Sequence, residues 1–176
     1  MNSHIISAIG SDRPGIVSEL TGIITNHGGN IEESRMTRLG SDFVIFMLVS
    51  LDPEWEESLV VSLQAINNIS ITTKKTDSNT VIKGKVCKIE LNGADNEGIV
   101  NVLSNYLSDK SMNIQDMDTH ISNAPVTGTP LFNLKAITAL PENLNLLDIQ
   151  SELNHIAQKL SVEIVVHQAE SILDTL

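Results

Sequence analysis

Ile16, Val17, Leu20, Ile23 and Ile24 fall at i, i+1, i+4, i+7 and i+8, which is the spacing of one helix face. His4 to Ile9, before that stripe, is a short apolar run that predicts a strand. His27-Gly28-Gly29 ends the helix, because glycine tolerates the left-handed conformation required there. Asn30 to Leu39 and Asp42 to Leu51 are β-rich runs joined by Gly40-Ser41, a tight hairpin signal. Asp52-Pro53-Glu54 opens a second helix, with Asp52 as N-cap, Pro53 in the first turn and Leu59, Val60, Leu63 and Ile66 facing inward. Ile69 to Lys74 closes the unit as a strand. The predicted order is β-α-β-β-α-β.

The same rhythm then starts again. Asp12-Arg13-Pro14-Gly15-Ile16-Val17, Leu20, Ile24 and Asn30-Ile31 are matched by Asp95-Asn96-Glu97-Gly98-Ile99-Val100, Leu103, Leu107 and Asn113-Ile114, at a constant offset of 83 residues. Val86 to Leu91 predicts the opening strand, and Ile99, Val100, Leu103, Tyr106 and Leu107 the first helix. Ile114 to Ile121 and Leu131 to Ala139 predict the central pair. Leu146, Ile149, Leu153, Ile156 and Leu160 mark the second helix, and Val162 to His167 the last strand. Residues 1–76 and 85–176 are expected to form two domains, joined by a polar linker over 77–84. The fold class is α+β: two ferredoxin-like βαββαβ domains in tandem, each an antiparallel four-stranded sheet with both helices on one face. Phe43 to Val49 is apolar at every position, so both of its faces seek burial. Packing between the two copies or between chains would provide that, and a lipid or ligand pocket under the sheet is the alternative.

Composition narrows the function. The 176 residues carry a formal net charge of −11, shared by both halves: 5 basic and 10 acidic side chains in 1–78, 6 and 12 in 79–176. Phosphate contacts supply most non-specific DNA affinity, so direct nucleic-acid binding is not expected. An RNA-recognition module shares the βαββαβ order, but it reads bases with aromatic pairs on a basic surface. Here only Phe43, Phe46 and Phe132 are candidates. The longest apolar run is too short to cross a bilayer, and Met1-Asn2-Ser3-His4 lacks the features of a signal peptide, so the expected location is the cytoplasm. Cys87 stands alone, which excludes a disulfide framework and a cysteine metal cage.

The loop after each first strand is the strongest candidate site. A helix N-terminus offers unpaired N–H groups and a positive dipole end, which suit a carboxylate. Asp12 and Asp95 suit an ammonium group, and Gly15 and Gly98 allow close approach to the backbone. Asn30 and Asn113 can donate and accept hydrogen bonds. Together these features suit both ends of a free amino acid. A purely structural reading is equally open, with Asp12 and Asp95 as helix caps, the glycines as turn residues and the asparagines as local turn bonds. The five histidines show no metal-ligand spacing, and His27 suits the negative end of its helix. Cys87 reads as a small buried hydrophobe, and Asp116 and Asp118 as solvated charges on one strand face. With no P-loop, dinucleotide fingerprint or nucleophile–base pair, neither cofactor nor catalysis is expected. Ser122 to Pro130 is a longer loop than its counterpart, open to a docking or lid role or to a tolerated insertion.

Asp12-Arg13-Pro14-Gly15-Ile16-Val17 followed by Gly29-Asn30-Ile31 resembles the signature of ACT domains, which bind amino acids and regulate metabolism. Two copies in a chain of this length resemble the glycine cleavage system transcriptional repressor family. The resemblance implies a cytoplasmic, non-enzymatic regulator that does not touch DNA. It implies contact with a LysR-type activator, tuned by glycine or serine, and homo-oligomer formation. A free-standing regulatory subunit of an amino-acid metabolic enzyme is the alternative. The resemblance also implies that Asp12, Arg13, Pro14, Gly15, Ile16 and Asn30, with Asp95, Gly98, Ile99 and Asn113, surround the ligand, in a site between two ACT units. Serine-binding members carry a histidine two residues before the loop's acidic or amide residue, where this chain has Gly10 and Gly93. The second copy replaces Arg13-Pro14 by Asn96-Glu97 and Gly29 by Met112. Glu97 adds negative charge where a carboxylate would dock, so the first loop is expected to bind better than the second, or to be the one that binds at all.

Overall fold

A computed structural model describes residues 1–77, 85–125 and 127–169. The chain divides into two compact units, Met1–Val81 and Ile82–Leu176. The predicted linker lies outside the described residues except for Asp77.

The first unit runs β1 (Asn2–Ser11), α1 (Ile16–Asn26), β2 (Asn30–Leu39), β3 (Asp42–Leu51), a 3-10 turn (Pro53–Trp55), α2 (Glu56–Gln64) and β4 (Ile69–Thr76). Its sheet order is β2-β3-β1-β4, with every neighbouring pair antiparallel. The second unit repeats this with β5 (Lys85–Ala94), α3 (Ile99–Asp109), β6 (Ile114–Asn123), β7 (Pro130–Leu140), α4 (Leu146–Leu160) and β8 (Val162–Ala169), in sheet order β6-β7-β5-β8. The two βαββαβ units follow the predicted order element by element.

Each helix stripe builds its own unit's core. Ile16, Leu20 and Ile24 pack with Leu59 and Leu63 onto Ile6, Ala8, Ile45, Met47 and Val49. Ile99, Leu103 and Leu107 pack with Ile149 and Leu153 onto Ile89, Leu91, Leu134 and Ala136. Apolar burial is the main driving term for both, at about 25 cal/mol per Å² removed from water.

The differences from expectation are local. β1 and β5 extend past their apolar runs, because backbone pairing continues through polar residues such as Asn2, opposite Leu51, and Gly93, opposite Phe132. Asp52 precedes the 3-10 turn, but its carboxylate makes no capping bond, and α2 itself starts at Glu56. Its Oδ1 instead lies 3.9 Å from the N-terminal amine. Val100 is more than a third exposed, so the second stripe is narrower than its spacing implies. The Ser122–Pro130 loop is also shorter than read. Ser122, Asn123 and Pro130 belong to the β6–β7 ladder, and Ala124 N donates to the Thr129 carbonyl at 2.9 Å.

Candidate functional site

β1 ends beside the β2–β3 turn: Ser11 is opposite Asp42, and Asp12 N donates to the Ser41 carbonyl at 3.3 Å. The chain then turns through Gly15, whose φ of 88° lies in the left-handed region that glycine adopts without penalty. Gly98 does the same at φ 85°. These glycines occupy the N-cap positions of α1 and α3, and neither helix has a side-chain cap. Asp12 and Asp95 are therefore not helix caps, which removes that part of the structural reading. The Asp12 carboxylate instead stands 3.9 Å from Arg38 Nε on β2.

The two loops then diverge. Arg13 folds back onto α1, where its guanidinium pairs with Glu19, and its carbonyl accepts from Ile16 N at 3.4 Å. Asn96, at the matching position, donates from Nδ2 to the Leu160 carbonyl at 2.8 Å. The first loop thus holds a carboxylate and two nearby guanidinium groups at a helix N-terminus. The second spends its amide tying itself to the end of α4 and carries Glu97 in place of Pro14.

Asn30 and Asn113 lie elsewhere. Asn30 opens β2 opposite Ser50, whereas Asp12 stands beside Ser41 and Asp42 at the other end of β3. Eight residues of extended strand, roughly 26 Å, separate those ends. The second unit repeats the separation: Ala94, just before Asp95, is opposite Leu131, while the Asn113 carbonyl accepts from Ala139 N at 2.8 Å. Within one unit, Asp12, Arg13, Pro14, Gly15 and Ile16 come together and Asn30 does not join them. Asp95, Gly98 and Ile99 likewise stand apart from Asn113.

Sequence reading missed a hollow of about 390 Å³ beside Asn113, lined by Ser104, Ser108, Ser111, Met112 and Ile114. The serines at i, i+4 and i+7 were its legible signal. It also missed why positions 10 and 93 are glycine. A Cβ at Gly10 would meet the Asn68 carbonyl oxygen at 2.6 Å, and one at Gly93 would meet Val162 Cγ1 at 2.6 Å. A histidine at either place has no room in this backbone.

The remaining chemistry-bearing groups serve the fold. Cys87 is buried, its Sγ 3.0 Å from Thr138 Oγ1, and burial pushes its thiol up, away from the reactive thiolate. Burial, followed by the Glu152 charge, raises the Tyr106 phenol. His27 places Nδ1 2.8 Å from the Ile23 carbonyl and Nε2 3.3 Å from Ser62 Oγ, so it bridges α1 to α2. Among the described residues no group of three or more His, Cys, Asp or Glu could hold a metal ion. No described helix is long and apolar enough to cross a membrane.

Comparison with known proteins adds independent findings. A family model described as "ACT domain" matches residues 3–68. The glycine cleavage system transcriptional repressor of Escherichia coli (strain K12) is 48% identical over 46 residues, 26% of this chain. That match spans 24% of the relative's own length. A solved structure described as an unknown protein from Galdieria sulphuraria has a TM-score of 0.80 at 30% identity, covering 96% of this chain and 98% of that one. Another, provisionally named a glycine cleavage system transcriptional repressor, has a TM-score of 0.67 at 20% identity and covers 97% and 98%, which speaks for the fold.

Proposed function

We propose that this chain is a tandem ACT-domain protein, its first copy matched by the ACT-domain model over residues 3–68, and that it is an amino-acid-responsive regulator rather than an enzyme. In this reading it represses a glycine cleavage system in the cytoplasm by contact with a LysR-type activator, without touching DNA. Residues 1–76 and 85–176 serve as the two sensing units. The acidic charge supports protein contact over DNA contact, since a surface with 22 acidic and 11 basic side chains repels phosphate.

One observation supports the sensing role: in each unit the aspartate loop and the matching asparagine stand at opposite ends of the sheet. The Asp12 loop offers a carboxylate for an ammonium group and a helix N-terminus for a carboxylate. Asn30, roughly 26 Å away along the strand, completes nothing in its own unit. An amino acid that docks at the Asp12 loop is held, within its unit, by the loop residues and not by Asn30. Such binding favours the ligand-competent state of the chain, which is what a regulator requires. We rank glycine ahead of serine as effector, because the histidine of serine-binding relatives has no room at Gly10 or Gly93.

Calorimetric titration with glycine, serine and other amino acids tests this. Saturable glycine binding is expected, weakened about tenfold or more by Asp12→Ala, the loss of one charge-assisted contact. Asp95→Ala is expected to cost less, because the second loop lacks Arg13 and carries Glu97. Equal losses from both variants would overturn the ranking of the loops, and no binding of any amino acid would overturn the sensing role.

A further inference from the structure

The first sheet is packed on one face by α1 and α2, and its other face is apolar at the centre. The ladder register sets its rows: Lys74, Ile5, Leu48 and Glu33 form one, Thr72, Ser7, Phe46 and Arg35 the next, and Ser70, Ile9, Val44 and Thr37 the third. Ile5 is 39% exposed, and Ile9 and Phe46 are each 48% exposed. A hollow of about 420 Å³ opens over Ile5, Phe46 and Leu48, with Glu33 and Arg35 at its rim. A contiguous apolar patch of this kind marks a surface that is covered in use.

The corresponding face of the second sheet is more polar. Val86 and Ile137 are buried there as a small apolar cluster, and Leu131, Ala139 and Val165 are apolar too, but most of the remaining positions carry charged and polar residues. Lys88 Nζ lies 2.9 Å from Glu90 Oε1, His167 Nε2 3.9 Å from Glu90 Oε2, and Asp118 is opposite Lys135. Lys88 and the neighbouring Lys135 hold the Glu90 carboxyl below its ordinary range. Covering an apolar surface with these groups would strip their hydration without offering new partners. The repeat has thus kept its fold while changing this face, and the chemistry that suits the first unit's face is its own.

We propose that the open face of the first unit is a docking surface for the same face of a second copy of this chain. A two-fold axis running along the strands between β1 and β3 exchanges those strands. It sets Phe46 over the partner's Ser7, Leu48 over the partner's Ile5, and Glu33 over the partner's Lys74. Each of these contacts occurs twice. Phe46 meets a small residue, Leu48 meets another apolar one and acid meets base, so the patch is self-complementary in the way an isologous interface requires. Four strands about 4.8 Å apart and some eight residues at ~3.3 Å each give about 500 Å² a side. Doubled, that reaches the lower range of specific interfaces, about 1,000 Å², so the dimer is reversible and concentration-dependent. It does not rest on the amino-acid site, which uses sheet ends rather than this face.

Sedimentation equilibrium of the full chain, from low micromolar to hundreds of micromolar, tests this. The wild type is expected to dimerise reversibly, and Phe46→Glu to raise the dissociation constant by about 100-fold or more, as loss of a central aromatic anchor does. Glu33→Lys and Lys74→Glu are each expected to weaken the dimer, and the double exchange to restore most of it. That charge-swap pair keeps the test open should Phe46→Glu fail to fold. A wild type that stays monomeric throughout, whatever else covers the face, would overturn the proposal. So would a dimer indifferent to both sets of substitutions.

Discussion

A methyl group added at Gly10 would lie 2.6 Å from the Asn68 carbonyl oxygen, whereas one added at Gly22, inside α1, meets nothing within 4 Å. Gly10→Ala is therefore expected to destabilise the first unit by about 1–3 kcal/mol, the usual cost of overpacking. Gly22→Ala is expected to stabilise it by about 0.5–1 kcal/mol through helix propensity. Urea unfolding of the two variants checks both signs. Glu56 gives a pH prediction at the same scale. Asn2 donates to its Oε1, with His4 Nε2 at 3.2 Å and Lys75 Nζ at 3.6 Å, and these partners hold its carboxyl below the ordinary range, the Asn2 bond most of all. A carboxyl lowered in the folded state adds stability above its unfolded pKa and loses it as pH falls towards the folded one. Below about pH 4.3, where an unfolded glutamate protonates, Glu56→Gln should flatten the fall of melting temperature with acidity relative to wild type. An unchanged acid limb would show that the Asn2–His4–Lys75 cluster does not support the fold.

At the scale of elements, the helix stripes were legible because burial sets their period. Leu20 and Leu103 are fully buried at matching places in the repeat. Leu103→Ala should cost about 2–5 kcal/mol through lost contacts and the cavity left behind, measured as a lower denaturant midpoint for the second unit. What escaped the sequence was set by backbone pairing and not by side-chain pattern. The edge strands β2 and β6 carry a register shift at the same offset, between Ile31 and Glu33 and between Ile114 and Asp116, and no residue type announces it. The 3-10 turn before α2 and the Asn145 cap of α4, which accepts from Leu147 N at 2.9 Å, are likewise decided by local hydrogen bonds. The candidate loops were visible from their aspartates and glycines. The distance from Asp12 to Asn30 was not, because an 18-residue spacing across a helix says nothing of which sheet end each residue reaches.

For the whole molecule, the repeat supplies two separate cores and two loops of unequal chemistry on one acidic chain. In the proposed function, an amino acid that binds one state of the chain better than another shifts the population of that state, and a protein partner reads out the shift. The central claim is therefore a coupling between amino-acid binding and partner binding. The most direct measurement is the affinity of the full chain for the LysR-type activator of the glycine cleavage operon, by fluorescence anisotropy with and without saturating glycine. Coupling of this kind is expected to shift the dissociation constant by roughly 5–150-fold, with the shift abolished by Asp12→Ala. An affinity that glycine leaves unchanged, or no complex under either condition, would contradict it.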